Sequence, residues 1–172
     1  MADTAGQAVR PLRAWLVGFG TVGQWVAGAL GAQTERLAAQ YGIGITVVGL
    51  ANARDGFIYD GSGLDLSSAL RLAASGKPIS GRPGVRRWPS AIEGIRATEA
   101  DLLVEVTASS AADGEPGFQH MGESLGRGIP VVTSNKWPVA LHGWSSRDWR
   151  VAPTSRSALS PPSCREHRCS PR

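Results

Sequence analysis

Residues 13–42 read RAWLVGFGTVGQWVAGALGAQTERLAAQYG, and their reading decides the fold. A short apolar run, RAWLV, ends in the glycines of GFG, which predicts a buried strand. Val22, Val26, Leu30 and Leu37 then recur near helical spacing, and Gly42 supplies a stop. A second apolar run, IGITVVGLANAR (residues 43–54), predicts a second strand. Strand, helix and strand make a βαβ unit, which requires a parallel pair joined by a right-handed crossover.

Working outward, DGFIYDGSG (residues 55–63) is rich in Gly and Asp and reads as a loop. Asp65 is placed to cap a helix running to about Ser75, ended by Gly76 and Pro78. SAIEGIRATEA reads as a weaker helix capped by Ser90. DLLVEVTAS is a mostly apolar third strand, GEPGFQHMGESLGRG a helix stopped by Gly128, and IPVVTSN a fourth strand. WPVALHG opens another helix, with Pro138 where helix starts tolerate proline. The alternation predicts an α/β class, doubly wound around a parallel sheet. Trp15, Trp25 and Trp88 are expected to be packing residues, and His120 and His142 structural or solvated. Glu105 lies within the third strand, where a buried carboxylate needs partners. A structural role and a place facing the cleft both stay open for it.

The 172 residues suffice for one domain with a real core, without disulfide staples. Apolar content is 42% and charged content 19%, the composition of a globular chain. No apolar run reaches the ~20 residues that span a bilayer. The first residues show no signal-peptide pattern, so a cytoplasmic protein is expected. The net charge of +4 has a local origin. Residues 1–142 carry 12 Lys+Arg and 12 Asp+Glu, whereas residues 143–172 carry 6 Arg against Asp148 and Glu166. Residues 143–172 also hold seven Ser, four Pro and both cysteines, Cys164 and Cys169. They show no sustained period and read as a disordered tail. A neutral folded part argues against nucleic acid as partner. CREHRC in the tail has too few ligands for a zinc site. No metal is expected.

GFGTVG places Gly18, Gly20 and Gly23 in the spacing G-x-G-x-x-G, between a strand and a helix. Gly18 permits the tight turn, Gly20 lets a pyrophosphate approach the backbone, and Gly23 lets the helix pack close to the strand. The helix start adds free N–H groups and the positive dipole end. Without a G-K-[ST] sequence this is not a mononucleotide P-loop. NAD sites usually carry an acid at the end of strand two. Here the end is LANAR, and Arg54 is suited to a 2′-phosphate, so NADP is the expected cofactor, with NAD as the alternative. Thr107, Ser109, Asn135 and Lys136 follow the ends of predicted parallel strands, where ligands of such sheets bind. Lys136 is either a fixed cation or proton carrier of the cleft, or a solvated surface lysine.

GFGTVG, GLANARDGFIYDGSGLDL and above all DLLVEVTASSAADGEPGFQHMGESLGRGIPVVTSNKWPVALHG carry a resemblance. Together, over about residues 12 to 142, they resemble the N-terminal, NAD(P)-binding half of homoserine dehydrogenase. The resemblance implies a Rossmann-like domain over residues 12–142, after a flexible residue 1–11 segment. It implies oxidation of L-homoserine to L-aspartate 4-semialdehyde or the reverse, on the route to threonine, methionine and isoleucine. Gly18, Phe19, Gly20, Thr21, Val22 and Gly23 would form the phosphate turn. Arg54 would lie near the adenosine ribose, Thr107 and Ser109 along the nicotinamide, and Lys136 would be the active-site lysine. Ser134 and Trp137 depart from the family's usual alanine and glycine. The family continues into a dimerisation and substrate domain with a second lysine, which residues 143–172 do not resemble. A shifted reading frame or a premature end is the expectation, which would leave this chain inactive alone and compatible with a monomer. A non-catalytic dinucleotide-binding module is the alternative.

Overall fold

A computed structural model describes residues 9–81 and 84–142. The segment called a tail, residues 143–172, lies outside the described residues, as do residues 1–8. Six strands form one sheet: β1 (Arg10–Val17), β2 (Ile43–Asn52), β3 (Gly56–Tyr59), β4 (Arg86–Trp88), β5 (Leu102–Glu105) and β6 (Val131–Thr133). Their order is β4-β3-β2-β1-β5-β6. The helices are α1 (Thr21–Tyr41), α2 (Leu66–Ala74), α3 (Ala91–Ala97), α4 (Gly117–Gly126) and α5 (Lys136–His142).

The sheet is mixed, which corrects the expectation of a parallel one. β2, β1, β5 and β6 run parallel, but β3 and β4 pair antiparallel at one edge. The stretch read as a loop after Arg54 is in fact strand β3. Phe57, Ile58 and Tyr59 are good strand formers and all three are buried. Asp55-Gly56 closes the hairpin turn: Gly56 has φ +73, and Asn52 pairs with Gly56 across it. β1 also begins at Arg10, so the flexible N-terminal segment does not extend to residue 11.

Alternation along the strands divides the core between two faces. Trp15, Val17, Val48 and Phe57 pack on one side with Ile95 of α3. Leu16, Val47, Leu50 and Ile58 pack on the other with Ala27 of α1 and Ala69 of α2. Both faces are therefore covered by helices, as double winding requires. Asp65 caps α2 by accepting from the Ser68 N–H, and Ser90 caps α3 by accepting from the Glu93 N–H, both as expected. Trp25 is not a packing residue: it is 74% exposed on α1, and Val22 also faces outward. Trp15 is fully buried, and Trp88 meets Phe57 edge to face at 5.9 Å. Among the described residues, no helix is long and apolar enough to cross a membrane.

Candidate functional site

The chain leaves β1 through α1 toward β2 on one side, while β5 and β6 lie on the other. The connections reverse direction between β1 and β5. A crevice opens beyond the carboxyl ends of the strands at such a point. The three motif glycines sit there and differ in what holds them. Gly18 has φ +105, and a Cβ on it would lie 2.6 Å from the Val106 carbonyl. A Cβ on Gly23 would lie 1.9 Å from the Gly18 oxygen. Both are demanded by the protein's own packing. A Cβ on Gly20 would meet no atom within 4 Å. The space above Gly20 is open, next to the start of the 21-residue helix α1. No side chain caps that start, and its first turn carries no acidic residue. Its free N–H groups and dipole thus face an open cradle, which fits a pyrophosphate. Thr21 and Val22 are exposed on this first turn. Phe19 is buried among Leu16 and Ala27, and its carbonyl accepts from the Gln24 amide, so it can offer a ligand only backbone.

On the far side of β1, the turn after β2 is self-contained. Asn52 Oδ1 accepts from the N–H groups of Arg54 (3.0 Å) and Asp55 (2.6 Å). Asp55 accepts from the Asn52 amide and from the Ile79 N–H. Burial pushes the Asp55 carboxyl up, but these bonds and the Arg54 guanidinium outweigh it and hold it below the usual carboxylate range. The Arg54 guanidinium donates to the carbonyls of Gly76 (3.0 Å) and Lys77 (2.7 Å) and to Asp55 (3.3 Å). Three of its five N–H groups are so engaged, and two remain.

Beyond β5 and β6 the polar groups converge on Glu105, which is 0% exposed. Its Oε1 accepts from the Thr107 N–H (3.2 Å) and the Thr107 hydroxyl. Its Oε2 accepts from the Thr133 hydroxyl (3.3 Å) and the Asn135 amide (3.2 Å). His120, buried on α4, brings Nδ1 to 3.7 Å from Oε1. Burial raises the Glu105 carboxyl, but His120, Thr107 and Asn135 together hold it below the usual range. Asn135 also donates to the Thr107 carbonyl (3.1 Å) and to Ser109, whose hydroxyl accepts from the Gly117 N–H. Thr107, Ser109 and Asn135 are thus drawn into one network, and Gly18 abuts the Thr107 backbone. Asn135 ends directly at Lys136, the first residue of α5. Lys136 is exposed, with its ammonium 5.5 Å from the Trp137 ring centre. It borders an open pocket of about 310 Å³ lined also by Thr133, Ser134, Asn135, Val139 and Ala140. Arg54 stands apart from this group. Sequence reasoning left Glu105 open; the one acid in an otherwise apolar strand was the available signal.

These features define a doubly wound α/β domain of the Rossmann type, with a crevice shaped for a dinucleotide. No family model matches the chain. The chain is 35% identical over 130 residues to the NAD(+)-dependent homoserine dehydrogenase of Pseudomonas canavaninivorans, covering 74% of this chain and 36% of that protein. It is 35% identical over 126 residues to the homoserine dehydrogenase of Methanocaldococcus jannaschii, covering 73% and 37%. A hyperthermophilic archaeal homoserine dehydrogenase mutant in complex with NADPH superposes with a TM-score of 0.64 at 27% identity, over 77% of this chain and 38% of that one. The chain is therefore similar to part of these homoserine dehydrogenases, and spans little more than a third of the curated relatives it matches.

Proposed function

We propose that this domain binds NADP, with NAD as the alternative, and serves the interconversion of L-homoserine and L-aspartate 4-semialdehyde. The observation that carries the reading is Gly20: the protein has no steric need for glycine there, yet the open space lies at an uncapped helix start. In this reading Gly18 and Gly23 build the turn, and the backbone from Phe19 to Val22 holds the pyrophosphate. The two spare N–H groups of Arg54 reach for the adenosine ribose or its 2′-phosphate. Thr107 and Ser109, fixed by the Glu105 network, flank the nicotinamide. The cofactor supplies and accepts the hydride. Lys136 stabilises charge on the reacting oxygen or moves its proton. In this reading it is a cytoplasmic enzyme of amino-acid biosynthesis, dimeric in its complete form as the resemblance implies.

A second reading, a dinucleotide-binding module without turnover, is favoured by the exposure of Lys136 beside an open pocket. Both readings expect saturable NADPH binding by the pure chain. Turnover of homoserine that disappears in Lys136→Ala while NADPH binding stays within about twofold supports the first. Binding without turnover supports the second, and absence of binding removes both.

A further inference from the structure

Glu105 is the last residue of β5, paired with Val17 at the end of β1 and with Thr133 at the end of β6. It therefore lies at the carboxyl edge of the sheet, where the connections reverse. Four bonds from three residues reach its two oxygens, and in each Glu105 is the acceptor: the Thr107 N–H, the Thr107 and Thr133 hydroxyls, and the Asn135 amide. The Thr107 N–H and the Asn135 amide can only donate, so each carboxylate oxygen meets one obligate donor and the arrangement favours the anion. All of these donors are neutral. Among the described residues, the group nearest to a countercharge is His120, whose Nδ1 stands 3.7 Å away and has no hydrogen-bond partner.

We infer that Glu105 is a fixed negative charge under the redox end of the crevice, and that it makes the site prefer the oxidised nicotinamide to the reduced one. The inference rests on the dinucleotide reading above. An oxidised nicotinamide ring carries one positive charge and a reduced ring none. A buried anion attracts only the former, and the attraction is weakly screened where water is excluded. The hydrogen bonds make Glu105 a positioning residue for Thr107 and Asn135; the charge gives it a second effect that positioning alone would not have. Its consequence is an on-protein equilibrium moved toward the oxidised cofactor, the direction in which a carbonyl substrate is reduced.

The full chain is titrated separately with NADP+ and NADPH, and the ratio of the two Kd values is the readout. Glu105→Gln removes the charge and is expected to raise Kd(NADP+)/Kd(NADPH) at least about fivefold, the effect of one unit charge within roughly 15 Å at an effective dielectric of about 20. Adding Asn135→Asp returns an anion to the same network and restores the wild-type ratio. Should the single variant not fold, Glu105→Met with Asn135→Leu replaces both bonded partners by apolar groups, and the same rise is expected. A neutral variant that weakens both forms equally overturns the inference and leaves a structural role only. Wild type that binds both forms while the ratio never moves sinks this inference but not the proposed function. Wild type that binds neither form removes both.

Discussion

Two strand ends flank β1, and each buries a carboxylate. After β2, Asp55 is balanced by Arg54, and the pair is spent on closing the hairpin and anchoring Gly76 to Ile79. After β5, Glu105 is met by neutral donors that belong to the candidate site itself, and its one potential countercharge among the described residues is His120, 3.7 Å away and charged only if protonated. The first region is locally neutral and structural. The second keeps a negative charge while ordering Thr107, Ser109 and Asn135. Two acids at corresponding strand ends thus do different work, and the difference lies in what kind of donor surrounds them. Buried charge that is paired disappears into the fold; buried charge that is only hydrogen-bonded keeps a field.

The largest expected effect separates glycines needed by the fold from the one left for a ligand. Gly23→Val drives side-chain atoms into the Gly18 carbonyl and is expected to destabilise the chain by about 3 kcal/mol or more, read as a fall in thermal midpoint. Gly20→Ala should leave stability within about 1 kcal/mol, because its φ of −83 is ordinary and the new methyl meets nothing. Its NADPH binding should nevertheless fall at least about tenfold, since a methyl would enter the cradle. A Gly20→Ala chain that binds as wild type does would erase the distinction.

Next in size is the Glu105 network. Glu105→Ala strands the Asn135 amide and the Thr133 and Thr107 donors, and is expected to lose about 3 kcal/mol. Asp55→Ala should lose less, near 2 kcal/mol, because Asn52 still closes the hairpin turn. Denaturant unfolding of both variants checks the order, and a reversed order breaks the comparison. Both carboxyls are held below their ordinary values in the fold. A depressed folded value means that the stabilisation is fully present above the unfolded value, about 4. It is lost as pH falls through the folded value. Stability should therefore drop below about pH 4. Glu105→Gln should flatten that drop, and an unchanged acid limb in this variant would exclude Glu105 as a source of it.

The sequence was most legible where one residue type answers one local demand. The glycine spacing, the Asp65 and Ser90 caps and the stops at Gly42 and Gly128 could all be read, because each depends on neighbours a few positions away. Reading stopped where partners are distant in the chain. β3 was hidden behind Asp and Gly because its pairing with Arg86–Trp88 supplies the rest of its stability. The Glu105 network joins residues up to 30 positions apart, so no window contains it. Trp25 departs from the packing role expected of a large apolar residue because its place on α1 turns it outward.

The smallest effect tests whether the region after β2 is only structural. Arg54 is 54% exposed, and its ion pair with Asp55 adds little on its own. The bonds to the Gly76 and Lys77 carbonyls tie down the exposed end of α2, so Arg54→Ala should lose about 1 kcal/mol of stability. Its remaining N–H groups are what a 2′-phosphate would use. If they do so, the variant loses NADPH affinity severalfold while NADH affinity stays put. Arg54→Lys is the sharper probe. A lysine keeps the charge but lacks the planar fork that spans two carbonyls and still presents free donors. It should keep part of the NADPH preference while losing the loop anchor. Equal changes for both cofactors in both variants would assign Arg54 wholly to the hairpin, and would leave the dinucleotide's discrimination to residues on the other side of β1.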